Sequence, residues 1–255
     1  MLNNYSVIIQ ARTGSTRLPG KVLKKISGKT VLEHVVRRVQ ACKKTDSVIV
    51  ATTVEKADLQ IVKWCADNKV SVFCGSVRDV LDRYYQTARL FNVTHVIRIT
   101  SDCPLIDPKL IDKIIEFQKQ KKANYASNIL TLTFPDGEDV EVFTFQALEK
   151  TWRKAMAGSE REHVTPYMRN HPELFTQASY KSSIDYSNLR WTLDEPRDLE
   201  LIKRVYKQLY RNNPLFGMNA IIDLIQRQPS LSHLNSSIKR NTGYLKSLHQ
   251  DKTHD

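Results

Sequence analysis

The sequence predicts an α/β fold: a mostly parallel, Rossmann-like sheet flanked by helices, with a small inserted β-hairpin and helical part. Two observations carry this. Apolar runs of strand length alternate with segments of helical period through the first 122 residues. The first run, Tyr5 to Ile9, passes directly into a loop from Gln10 to Lys21 that holds two glycines, two arginines and a lysine. Parallel sheets present their ligand loops at such strand ends.

Taken in order, residues 5–9 form a buried strand, and a turn at Ser27-Gly28 follows the loop. Thr30 is placed to cap a helix whose apolar stripe is Val31, Leu32, Val35, Val36 and Val39. Strands are expected at 47–53, 70–74 and 95–100, alternating with helices at 57–67 and 79–91. Asp107-Pro108 is a helix entrance, since proline suits the first helical position. From residue 125 the rhythm changes. Residues 125–133 and 140–145 read as strands flanking the acidic turn Phe134-Pro135-Asp136-Gly137-Glu138-Asp139. Helices over 146–169 break near Pro166, a strand is expected at 176–180, and helices at 197–210 and 219–226. Residues 1–228 read as one domain, and the polar, weakly periodic residues 229–255 as a loosely ordered tail.

Composition narrows the class. No apolar run approaches the length of a membrane span, and no basic-then-apolar leader opens the chain, so a cytoplasmic protein is expected. Cys42, Cys65, Cys74 and Cys103 show no C-x-x-C pair and read as reduced thiols. The net charge of +12 invites a nucleic-acid reading. Against it, the cations are dispersed and no RRM, KH or zinc-finger signature occurs. Part of the charge is local: Arg12, Arg17, Lys21, Lys24, Lys25 and Lys29 all precede the first acidic residue, Glu33. That is the field a triphosphate needs, and small residues let backbone N–H groups approach an anion. The spacing is not that of the Walker loop.

Three further places can carry chemistry. Asp102 directly follows the strand at 95–100, and a carboxylate there can hold Mg²⁺ with phosphate oxygens and water completing the shell. Asp194 is a second acid at a strand end, before Glu195-Pro196; helix capping is its other use, and the two can coexist. His163 and Tyr167 are four apart, so a helical turn would put both on one face, with Arg161 beside them to attract a carboxylate.

A resemblance attaches to these same residues. Ala11-Arg12 followed by Ser15-Thr16-Arg17-Leu18-Pro19-Gly20-Lys21 resembles the opening motif of the CMP-sugar synthetases, cytidylyltransferases that activate 3-deoxy-2-keto sugar acids. The variant is that of 3-deoxy-manno-octulosonate cytidylyltransferase, to which acylneuraminate cytidylyltransferase is related. With Gln10 in front, the stretch is most similar to SpsF-type spore-coat polysaccharide proteins. Thr100-Ser101-Asp102-Cys103-Pro104-Leu105-Ile106 resembles the family's Gly-Asp-x-Pro-Leu-Ile segment, with Ser101 replacing the glycine and Thr100 where octulosonate enzymes commonly use glutamine. Leu193 to Glu200 resembles Asp-Thr-Pro-Glu-Asp-Leu-Glu, and Arg161 to Tyr167 matches Arg-Glu-His-Val-Thr-Pro-Tyr of the SpsF-type proteins.

The resemblance implies a nucleotidyltransferase (GT-A-like) fold with a nucleotide-binding half over 1–122 and an acceptor-binding and dimerisation part over about 123–190. It implies CTP and a sugar acid as substrates, Mg²⁺ as cofactor and a homodimer. Arg12, Lys21 and Asp102 are then catalytic; Gln10, Ala11, Arg12, Gly14, Ser15, Lys21 and Thr100 surround the nucleotide. Arg17, His163 and Tyr167 face the acceptor, and Asp102 and Asp194 hold the metal. A glycosyltransferase using a nucleotide sugar is the alternative on a similar fold, although its usual Asp-x-Asp motif is absent from the chain.

Overall fold

The computed structural model describes residues 4–254. In chain order its elements are β1 (Tyr5–Gln10), β2 (Lys25–Ile26), β3 (Lys29–Thr30), α1 (Val31–Gln40), β4 (Ser47–Thr53), α2 (Leu59–Asp67), β5 (Ser71–Gly75), α3 (Val80–Leu90), β6 (His95–Thr100) and α4 (Pro108–Lys121). Then come β7 (Tyr125–Ser127), β8 (Glu141–Thr144), α5 (Phe145–Lys154), α6 (Gly158–His163), α7 (Pro166–Asn170), β9 (Gln177–Ser179), α8 (Pro196–Leu209), α9 (Met218–Arg227), α10 (Ser230–His233) and α11 (Thr242–His254).

Seven strands form one sheet in the order β5-β4-β1-β6-β8-β7-β9. β5, β4, β1 and β6 run parallel, while β8 pairs antiparallel with both β6 and β7. The sheet separates two apolar clusters, and β1 shows why. Tyr5, Val7 and Ile9 enter one cluster with α1 and α4, whereas Ile8 enters the other with α3 and α5. Alternate side chains of a strand point to opposite faces, so a central strand covered on both reads as a continuous apolar run. A third cluster joins Trp191, Leu193 and the inner faces of α8 and α9.

The caps at Thr30 and Asp107 form as expected: Thr30 Oγ1 accepts from Glu33 N at 3.1 Å, and Asp107 Oδ1 from Lys109 N at 2.8 Å. The hairpin expected after residue 125 is the β7–β8 pair, continuous with the main sheet, and a separate two-stranded hairpin, β2–β3, follows the basic loop. β7 is much shorter than its apolar run, because Asn128 leaves the strand to brace the acidic turn: its Nδ2 donates to Glu138 O at 2.7 Å and its Oδ1 accepts from Val140 N at 2.9 Å.

The expectation of a loosely ordered tail requires correction. Within residues 230–254, α10 and α11 form: Leu231 of α10 is buried in the third apolar cluster, and polar anchors hold the rest. Asn235 is buried and its Nδ2 donates to Arg190 O (3.0 Å) and Asp198 Oδ1 (2.8 Å). Arg240 Nη2 donates to Asp139 Oδ1 at 2.6 Å, and both Asp251 oxygens accept from Ser159 N at 3.1 and 3.2 Å. Among the described residues no helix is long and apolar enough to cross a membrane.

Candidate functional site

The basic loop leaves β1 at the carboxyl end of the sheet. Thr13 pins it: its backbone N and its Oγ1 both donate to Asp58 Oδ1 at 2.7 Å, and Asp58 is buried. Thr13 O in turn accepts from Ser15 N (2.8 Å) and Gly20 N (3.1 Å). Gly20 takes the left-handed conformation (φ 63°) that starts a single 3-10 turn at Lys21–Leu23. Glycine adopts this region without strain, and the turn sends Lys21 across the sheet end.

There Lys21 Nζ lies 2.6 Å from Asp102 Oδ2 and 2.8 Å from Asp194 Oδ1. Two acids and a lysine from three distant stretches thus meet at one point. Burial alone would raise the Asp102 pKa, but the Lys21 ammonium reverses that and brings it down to about 2. For Lys21, burial disfavours the cation and the two carboxylates overcome it, so its pKa is raised. Lys21 and Asp102 are therefore both charged at neutral pH. Arg17 joins from the rim, with Nη2 3.1 Å from Asp194 Oδ2, Nη1 3.9 Å from Glu195 Oε1, and Nη1 donating to Thr242 Oγ1 at 2.9 Å.

The backbone fixes the two acids relative to each other, since Leu193 N donates to Asp102 O at 2.8 Å. The acidic turn lies against this join. Asp136 O accepts from Trp191 N and Thr192 N at 2.6 and 3.0 Å, and a Cβ on Gly137 (φ 108°) would come within 2.5 Å of Thr192 N. Only glycine permits that approach. Arg190, nearly buried, ties the assembly together, with Nη1 2.6 Å from Asp136 Oδ2, Nη2 3.2 Å from Asp194 Oδ2 and Nε 3.0 Å from Asp198 Oδ1. Pulling such a pair apart leaves buried carboxylates uncompensated.

Among the described residues, no three His, Cys, Asp or Glu side chains converge as a metal cage. Asp102 and Asp194 nevertheless suit Mg²⁺, which commonly takes one or two protein carboxylates and leaves its other positions to phosphate and water. Their oxygens already converge on one cationic centre, the Lys21 ammonium.

The remaining residues singled out in the sequence divide. Gln10 Oε1 accepts from Arg98 Nη2 at 3.0 Å, Ala11 is buried, and Ser15 Oγ accepts from Leu18 N at 3.3 Å. Gly14 faces open space, and the exposed Arg12 has no side-chain hydrogen bond or ion pair among the described residues. Thr100 Oγ1 contacts Cys103 Sγ at 3.2 Å. His163 and Tyr167 do not share a helical face. α6 ends at His163 and α7 begins at Pro166, and Val164 between them has φ 72° and ψ −55°. Thr165 N donates to His163 O at 2.9 Å, closing a γ-turn. Tyr167 packs against His171, with ring centroids 4.2 Å apart, while His163 Nε2 meets Ser247 Oγ of α11 at 3.0 Å. Arg161 is engaged by Asp79, with Nε donating at 2.9 Å.

Burial holds the His163 pKa down to about 4, with Arg98 and Arg169 adding repulsion that Glu162 and Asp251 do not offset. The folded value lies below the ordinary 6.5, so the folded state binds fewer protons between those limits. Stability should therefore fall as pH drops through roughly 6.5 to 4. Scanning calorimetry should find a lower Tm at pH 5 than at pH 7, and His163→Gln should flatten part of that slope. An unchanged slope in the variant would show that His163 does not contribute.

Sequence reasoning passed over Asp58, Arg98, Arg190 and the anchors in residues 235–251. Most are charged residues whose partners lie far away in the chain, and no local spacing marks them.

Asp102 follows β6 as expected, whereas Asp194 follows no strand: only an isolated bridge joins Arg190 to Asp136, and Asp194 lies in the stretch that enters α8. A parallel sheet bearing a basic loop with two carboxylates at its carboxyl end is the arrangement of an enzyme that handles a nucleoside triphosphate. A profile of the cytidylyltransferase family matches residues 6–221. The chain belongs to that family and is a CTP-dependent nucleotidyltransferase. It is 39% identical over 240 residues to the uncharacterized protein MJ1063 of Methanocaldococcus jannaschii, covering 91% of this chain and 95% of that one. It is 32% identical over 235 residues to the spore coat polysaccharide biosynthesis protein SpsF of Bacillus subtilis, covering 89% and 96%. The solved structure of a cytidylyltransferase from Leptospira borgpetersenii superposes with a TM-score of 0.87 at 33% identity, covering 94% of this chain and all of that one. The family sets aside the glycosyltransferase alternative.

Proposed function

We propose that this protein transfers CMP from CTP to the anomeric hydroxyl of a 2-keto-3-deoxy sugar acid, of the octulosonic or nonulosonic type, releasing pyrophosphate. The product would serve surface polysaccharide or glycan synthesis. The observation that carries this reading is the meeting of Lys21, Asp102 and Asp194 at the mouth of the basic loop. The acceptor class rests on the motif resemblance, and SpsF's polysaccharide role agrees with it.

The chemistry is an in-line attack on the α-phosphorus, which depends on alignment and charge neutralisation more than on covalent catalysis. Gln10 to Ser15 lie along the nucleotide, with Thr100 at the base side, and Arg12 offers its uncommitted cation to the phosphates. Lys21 exchanges its carboxylates for the β- and γ-phosphates when CTP enters. Mg²⁺ bound by Asp102 and Asp194 would supply Lewis acidity at the α-phosphate and lower the pKa of the acceptor hydroxyl. Arg17, at the rim beside Asp194, turns to the acceptor, as does His163; Tyr167 supports that side. A cytoplasmic homodimer accords with the expected reduced thiols and with the family resemblance.

Pyrophosphate release is the test, using each NTP with 3-deoxy-manno-octulosonate, N-acetylneuraminate and related acids. Release with CTP and at least one acid, with a CMP-sugar detected by mass spectrometry, is expected. No release with any acid would sink the acceptor assignment. Arg17→Ala should leave calorimetric CTP affinity nearly unchanged and raise the acceptor KM about ten- to hundredfold, the value of one charge-assisted contact. Collapse of CTP binding would place Arg17 in the nucleotide site.

A further inference from the structure

Arg169 on α7 differs from the other partly buried guanidiniums beside it; Arg12, also without an ion pair, is exposed. Arg98 is paired with Glu141, Arg161 with Asp79, Arg190 with three aspartates and Arg240 with Asp139. Arg169 is half-buried, forms no ion pair among the described residues, and its Nε is buried without a hydrogen-bond partner. A buried donor without a partner is destabilising; Arg98 and Arg240 also carry an unpartnered Nε, but each of those guanidiniums holds a carboxylate through its other nitrogens.

Its surroundings indicate what that partner is. The guanidinium carbon lies 5.5 Å from the centroid of the Tyr244 ring, and His163 meets the same ring edge-on at 5.1 Å. Nearby Glu141 is already committed, to Arg98 and, through Oε2, to the Tyr125 hydroxyl at 2.6 Å. Glu162, more exposed, turns its carboxylate to the Ser247 hydroxyl at 2.8 Å. His163 is neutral at working pH, given its depressed pKa. Asp251 is spent on Ser159 N, so the carboxylates near the corner are all engaged elsewhere while Arg169 has no ion pair among the described residues.

Two more features mark the corner. Val164, which precedes it, holds a positive φ that a β-branched residue rarely adopts. Strain of this kind persists where the surroundings fix it, often at ligand sites. The first turn of α11 also reaches both sides of the acceptor region: Thr242 bonds Arg17, and Tyr244 backs Arg169. The strap carrying them is tied at Asn235 and Asp251, so it is a wall of the site rather than a free tail.

We propose that Arg169, backed by the Tyr244 ring of the C-terminal helix, is an acceptor-binding residue that receives the carboxylate of the sugar acid, and that α11 completes the acceptor site. This rests on the sugar-acid reading above. It adds a second guanidinium beside the first turn of α11, where Thr242 meets Arg17 and Tyr244 meets Arg169, and a carboxylate would give Arg169 the anion that the described residues do not supply. Tyr244 supports the flat cation through its ring face and acts as a positioning residue.

The experiment measures acceptor KM and kcat for Arg169→Ala, Arg169→Lys and Tyr244→Leu. The probes are 3-deoxy-manno-octulosonate and N-acetylneuraminate, each beside its C1 carboxamide, with CTP affinity measured by calorimetry without acceptor. Wild-type turnover is read first, and its absence with both acids would overturn the sugar-acid reading and this inference together. Given wild-type turnover, Arg169→Ala should raise KM for the acid about ten- to hundredfold with little change for the carboxamide or in CTP affinity. Arg169→Lys, which keeps charge but loses the fork, should fall between. Tyr244→Leu should show a smaller rise with the same preference for the acid. Equal losses for acid and amide, an unchanged KM, or a parallel loss of CTP binding would overturn the role of Arg169 and leave the reaction assignment standing.

Discussion

Asp102→Asn should lower turnover by about 10²–10³ at saturating Mg²⁺ while leaving the fold intact. The amide keeps the shape of the carboxylate and its oxygen can still accept from Lys21, but the charge is gone. Removing one electrostatic contact made to the transition state commonly has an effect of this size. The wild-type carboxylate titrates at about 2, so it is ionised across any practical assay range and no choice of pH mimics the variant. Steady-state pyrophosphate release, with circular dichroism as the folding control, tests this. Wild-type turnover in the variant would remove Asp102 from the metal-binding role.

Lys21→Ala should have an effect of similar size on kcat/KM for CTP, by a different route. The ammonium is held between Asp102 and Asp194 by burial and two short contacts, and it becomes available to the β- and γ-phosphates when nucleotide binds. CMP lacks those groups, so its affinity should change little while that of CTP falls roughly tenfold or more. Without nucleotide, the variant leaves two carboxylates facing each other with their shared cation removed. Their repulsion should lower Tm, and Mg²⁺ should restore more of it than in the wild type, because the ion can take the vacated place. Equal losses of CTP and CMP affinity would place Lys21 away from the outer phosphates. A Tm indifferent to Mg²⁺ would argue that the two acids do not form its site.

The surroundings of His163 and Tyr167 were harder to foresee than the basic loop after β1. His163 and Tyr167 have helical spacing, yet the γ-turn at Val164 sends them to different neighbours. A spacing rule assumes unbroken dihedrals, and here the tightly packed Val164 departs from them. The tail was misjudged for a related reason. Its weak apolar period gives no sign of a helix docked by Asn235, Arg240 and Asp251, each bonded to a residue distant in sequence.

By itself the sequence determined the parallel sheet, through buried runs alternating with helical stripes, and the chemistry of the loop after β1, through a concentration of cations and small residues. It also singled out Asp102, just after β6, and Asp194, which lies not at a strand end but in the stretch before α8. All of these are local signals, carried by neighbours in the chain. Only the tertiary structure decided that Lys21 sits between those two acids, which lie 81 and 173 residues away from it. It alone decided that Arg190 gathers Asp136, Asp194 and Asp198, and that Arg169 has no ion pair among the described residues. Charges act on whatever folding brings within a few ångströms, and the low-dielectric surroundings that set their strength exist only once the chain is packed.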